Sequence, residues 1–136
     1  MGRVPRWRLG RGVYHVINRG INNSWVLESE GDRDKFLELL RTNGCEYFFI
    51  GHDHFYDWME IRNWRWPADY ALNQIVAGTA GAPFYPDKTY FGAHDGYELI
   101  RLDHRQNTYG YLQVTVNDDP TSGEKAVSVN FVPLAL

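Results

Sequence analysis

Gly51-His52-Asp53-His54 is the segment of this chain most suited to chemistry. Two histidines at i and i+2 on a loop leaving an apolar strand can turn toward one point, and neutral imidazole is the commonest transition-metal ligand. Gly51 gives the backbone room to turn there. The spacing lets the His52 and His54 imidazoles meet one transition-metal ion, though alone it is a weak signal. A complete centre needs at least a third donor, so the pair marks a place and not a finished site. The bland alternative is two surface histidines. A second loop, Gly78 to Pro86 (GTAGAPFYP), follows another strand-like run. Gly51, Gly78 and Gly81 together read as a site loop, because glycine lets backbone approach a ligand closely; otherwise the second stretch is a long surface turn.

Other residues have the right types but weaker settings. His15 lies in YHVIN, where a packed imidazole is expected. His94-Asp95 and Asp103-His104 are acid-histidine neighbours, which point to opposite faces when they lie on a strand. Trp58, Trp64 and Trp66 surround Arg62 and Arg65, a pattern that fits cation–aromatic packing on a sheet or, more sharply, stacking on a nucleobase. Cys45 has no partner thiol in the chain and precedes an apolar run, as a small core residue would.

The elements that must position these residues can be read from periodicity. Gly12 to Asn18 (GVYHVIN) alternates as a strand and runs into Asn22-Asn23-Ser24, a turn; Trp25 to Leu27 is a second short apolar run. Phe36, Leu37, Leu39 and Leu40 recur at helical spacing, which predicts a helix over Asp32 to Asn43 with Asp32 as N-cap and Asn43-Gly44 as a left-handed stop. Cys45 to Ile50 (CEYFFI) then reads as the strand that delivers the histidine loop. Beyond it, short strands are expected at Trp58–Asn63, Gln74–Thr79, Tyr97–Asp103, Tyr111–Asn117 and Val127–Val132. The fold class is α+β: a mixed or antiparallel sheet with one main helix.

The charge is unevenly spread. The 136 residues carry 14 Lys plus Arg against 17 Asp plus Glu, a formal net charge of −3. Yet Arg3, Arg6, Arg8, Arg11 and Arg19 stand among the first twenty residues without one acid, leaving the remainder strongly acidic. With Trp7 interleaved, this arm can meet the phosphates and bases of DNA or RNA, or it is a solvated tail. No stretch approaches the roughly 18 apolar residues of a membrane span, and residues 1–12 lack the apolar run of a signal peptide, so no membrane partner and a cytoplasmic location are expected. A hydrophobic content of 43% excludes disorder throughout.

Three segments, FIGHDHFYD (49–57), QIVAGTAGAPFY (74–85) and DHRQNTYGYLQVTV (103–116), resemble in order and approximate spacing the C-terminal part of calcineurin-like metallophosphoesterases, over about residues 44–118. The resemblance implies the C-terminal half of that family's sandwich, His52 and His54 as ligands of a dinuclear centre, two divalent ions as cofactors, and a phosphate ester as substrate attacked in line at phosphorus. The family's earlier ligand motifs do not stand in residues 1–50. Those residues instead resemble the start of REP-associated tyrosine transposases: YHVINRG (14–20), Asn22-Asn23 and FLELL (36–40), over about residues 3–42. That family also needs a tyrosine nucleophile, for which Tyr70 is the nearest formal candidate.

The sequence thus reads as a chimera, divided at 1–43 and 44–136 and expected to form one compact unit. The function it implies is metal-dependent hydrolysis of phosphate esters, or a catalytically incomplete metal-binding remnant of it. The alternative is a nucleic-acid-binding module without a catalytic tyrosine. Strands separated from their usual neighbours would also favour self-association.

Overall fold

The computed structural model describes residues 29–51, 53–79, 83–84, 92–94, 96–117, 121 and 127–135, with 92–94 described by backbone alone. The strand expected at Gly12–Asn18, the run Trp25–Leu27, the arginines Arg3, Arg6, Arg8, Arg11 and Arg19, and His15, His52 and Gly81 lie outside the described residues. The chain divides into two compact units between Glu38 and Leu39, ahead of the 43/44 boundary read from sequence.

In the first unit, α1 (Glu30–Thr42) begins. Ser29, not Asp32, is its N-cap. Asp32 sits three residues further on, where its Oδ2 accepts from the Ser29 N–H at 3.2 Å and from the Ser29 hydroxyl at 2.8 Å, while Ser29 Oγ accepts from the Asp32 N–H at 3.2 Å. This reciprocal box satisfies donors that the helix itself leaves open. Aspartate at the third position has the same preference for a helix start as aspartate at the cap, which explains the misplacement.

The second unit opens with the end of α1. The Gly44 N–H bonds the Arg41 carbonyl at 2.9 Å and the Cys45 N–H bonds the Leu40 carbonyl at 3.0 Å, with Gly44 at φ 69°. Glycine is needed there because the reversal requires a left-handed residue. Leu39, part of the expected apolar stripe, is 61% exposed.

Among the described residues seven strands follow: β1 (Tyr47–Ile50), β2 (Tyr56–Asn63), β3 (Leu72–Ala77), β4 (Gly92–His94), β5 (Tyr97–Arg105), β6 (Gly110–Val116) and β7 (Val127–Pro133). The first five form one sheet in the order β1-β3-β2-β5-β4, and β6 and β7 form a separate antiparallel hairpin. β1 lies parallel to β3 while the other pairs are antiparallel, so the sheet is mixed. The fold is α+β, mostly strand with one helix among the described residues. β4 is the strand that the sequence does not announce, being three residues long and opening on glycine.

Pleating gives β2 two opposite characters. Tyr56 and Trp58 face the hairpin, where Tyr56 stacks on Phe131 (centroids 4.4 Å, planes 14° apart) in a cluster with Ile75, Leu112 and Val129. Asp57, Met59 and Ile61 face the other way, beside Val76, Gln74 and Leu72 of β3. On that second face Ile61, Leu72 and Val76 are buried, and so is Asp57. Among the described residues no helix is long and apolar enough to cross a membrane.

Candidate functional site

Because β1 and β3 are parallel, the loops that leave them emerge at the same end of the sheet. The loop after Ile50 carries Gly51 to Phe55; the loop after Ala77 carries Gly78 onward. In sheets with parallel strands, the carboxyl ends are where such loops converge on ligands.

The two loops are fastened to each other. The Gly78 N–H donates to the Phe55 carbonyl at 3.2 Å. A Cβ on Gly78 would overlap the Asp53 carbonyl group, so only glycine permits this approach. The His54 Nδ1–H donates to the Pro83 carbonyl. A carbonyl can only accept, so this bond puts the proton on Nδ1 and the neutral ring's lone pair on Nε2, the tautomer that suits a metal ligand. The second loop is anchored further on: buried Thr79 donates through Oγ1 to the Gly110 carbonyl at 3.1 Å, and Phe84 packs on Tyr109 with centroids 4.4 Å apart.

The expected site residues fare differently. Gly78 packs tightly against the histidine loop, so its closeness serves the loop itself. Gly51 is exposed and a Cβ there would meet nothing within 4 Å. Among the described residues no group of three or more His, Cys, Asp or Glu side chains converges as a metal site. Asp103 and His104 do lie on opposite faces of β5, as neighbours on a strand must: Asp103 pairs with Trp58 and forms an ion pair with Arg105 at 3.0 Å, and His104 pairs with Asp57. Tyr70 has a packing role, its hydroxyl donating to the Cys45 carbonyl at 2.5 Å and its ring lying edge-on to Trp66. The three tryptophans occupy separate settings: Trp58 in the hairpin core, Trp66 buried by Tyr70 and Tyr97, and Trp64 76% exposed with the Arg65 guanidinium 5.0 Å from its ring.

Sequence reasoning missed the feature next to the loop. Asp57, 1% exposed, forms an ion pair with Arg101 Nε at 2.7 Å and accepts from the His104 Nδ1–H at 3.2 Å, both on Oδ1. Its other oxygen, Oδ2, is buried without a hydrogen-bond partner. Burial pushes the Asp57 carboxyl above its ordinary value, with Arg101 and His104 pulling it back. An irregularity in β5 assembles the three. Trp58 pairs with Asp103 but Met59 pairs with Arg101, so Leu102 bulges out and Arg101 joins His104 on the Asp57 face. The cluster abuts the histidine loop through Phe55, whose ring meets that of His104 at 5.8 Å. The available signal was Asp57, one of two acids in YDWMEI, and a single base, Arg101, in ELIRL. Regular alternation, however, puts Arg101 and His104 on opposite faces, and the bulge is not visible in residue types.

Comparison with known proteins identifies no relative: no family model, no curated protein and no solved structure matches the chain.

Proposed function

We propose that the chain carries a metallophosphoesterase-like site at the carboxyl ends of β1 and β3, with His52 and His54 as metal ligands and a phosphate ester as the molecule recognised. The observation that supports it is the union of the two loops with His54 held through Nδ1 by the Pro83 carbonyl. This is how proteins commonly fix a ligating imidazole for coordination through its other nitrogen. His54 offers one imidazole donor, and among the described residues no group of three or more His, Cys, Asp or Glu side chains completes a centre around it. A divalent ion bound there would polarise a phosphoryl oxygen. The chain's own contribution is to hold the His54 imidazole in one tautomer and to bring the glycine-rich second loop alongside. With the family's earlier ligand motifs missing from residues 1–50, the site is read as an incomplete remnant that binds metal more readily than it turns over substrate.

The test is elemental analysis of the chain after loading with zinc or manganese and dialysis, beside the double variant His52→Ala, His54→Ala. Metal retained by the chain and lost from the variant is the expected result. Equal metal in the two would sink the reading.

A further inference from the structure

The buried ion cluster and the histidine loop are joined by a continuous series of contacts. Asp57 Oδ1 accepts from His104 Nδ1; the His104 ring lies against Phe55; the Phe55 carbonyl accepts the Gly78 N–H. Between Phe55 and Gly51, the chain is held by Asp53 against Gly78 and by His54 on the Pro83 carbonyl. Stability alone does not account for the cluster. A buried charge pair usually holds a fold no better than apolar side chains of the same volume. Here, moreover, one carboxylate oxygen carries both partners while the other, equally buried, has none. What the cluster does fix is geometry. A carboxylate bonded to Nδ1 sets the angle of the His104 ring, and that ring is the surface on which Phe55 rests.

We propose that Asp57, Arg101 and His104 are positioning residues for the histidine loop, acting through the His104–Phe55 contact to hold His54 in the tautomer and direction that metal binding needs. The inference rests on the reading of that loop as a metal site. Arg101 pairs with and directs the Asp57 carboxyl, Asp57 orients the His104 ring, and that ring with Phe55 sets where the chain leaves β2 toward His54. No member of the cluster touches the metal in this scheme.

Two measurements on the full chain test it. Nitrogen-resolved NMR spectra of the histidine side chains, taken without metal, read the His54 tautomer directly, and a zinc titration reads affinity. Asp57→Asn and Phe55→Leu are each expected to move the His54 signals from the Nδ1–H form toward the average of both tautomers, and to weaken zinc binding about ten-fold. Val129→Ala, on β7 of the hairpin and packed against the Tyr56–Phe131 cluster, weakens packing on the opposite face and is expected to leave both readouts where they are. If Asp57→Asn fails to fold, Phe55→Leu carries the same test. Unchanged His54 signals in the cluster variants, or an equal change in Val129→Ala, would overturn the proposal. Should the unaltered chain take up no histidine-dependent zinc, the metal reading fails by itself, and the metal-free spectra still decide whether the cluster positions His54.

Discussion

Tyr56 and Asp57 are neighbours on one strand, each 1% exposed, and they are buried in opposite ways. Tyr56 meets an aromatic ring, and apolar side chains from two sheets complete its surroundings. Asp57 meets a guanidinium and an imidazole through a single oxygen, with Val76 across from it on β3. Burial raises both groups' titration, Tyr56 to about 12 and Asp57 above its ordinary 3.8, yet the consequences differ. A phenol is neutral at physiological pH and loses nothing by desolvation there. A carboxylate is charged and needs its partners. The hairpin face therefore depends on packing, and the opposite face depends on the pairing of charges.

Breaking each face separately tests that contrast. Phe131→Ala removes the ring on which Tyr56 stacks and leaves a hole between the two sheets; a loss of about 4 kcal/mol is expected in denaturant unfolding, nearly independent of pH across the neutral range. A pH-dependent loss there would erase the distinction between the faces.

Arg101→Ala leaves Asp57 buried beside His104 alone, with an expected loss of about 3 kcal/mol at neutral pH, Arg101 being one-fifth exposed at the side chain. The sign with pH follows from the direction of the shift. A carboxyl whose folded-state pKa is raised contributes its stability fully below the unfolded value near 3.8 and loses it as pH rises through the raised value. Removing Arg101 takes away an influence that lowers that pKa, so the variant should close part of its gap to the parent as pH falls and Asp57 takes up a proton. Urea unfolding at a series of pH values reads this, and a gap that widens in acid would contradict it.

Ser29→Ala belongs to neither face and calibrates both. Losing the exposed capping box should cost the helix about 1 kcal/mol, visible as a small fall in helical circular dichroism stability, with the sheet's aromatic signal unaffected.

How far the sequence could be read follows the same division. Elements governed by local rules were legible. The helix was announced by its apolar spacing and its Gly44 stop, and six of the seven strands by short β-branched and aromatic runs between turn residues. The delivery of the histidine loop by the CEYFFI strand was equally plain, and β1 ends at Ile50, as expected. What could not be read was set by long-range pairing. Nothing in Gly92–His94 alone selects a strand; it pairs because Tyr97 to Leu99 lies opposite across a tight reversal. The Asp57 cluster likewise depends on β2 and β5 lying side by side, 44 or more residues apart in sequence for each contact, and on a break in alternation that residue types do not report.

That break also has a consequence for changes of chain length. Leu102 has no cross-strand partner and is 48% exposed. Cutting it out would take up slack: Arg101 would still oppose Met59 and Asp103 would still oppose Trp58, with the pleat now regular between them. Removing Ile100 instead would turn Tyr97 to Leu99 over or drag the bulge out of place. The strand is thus able to shorten by a residue at Leu102 with its pairings kept, and single-residue deletions along β5, compared by thermal unfolding, should show their mildest effect at that position.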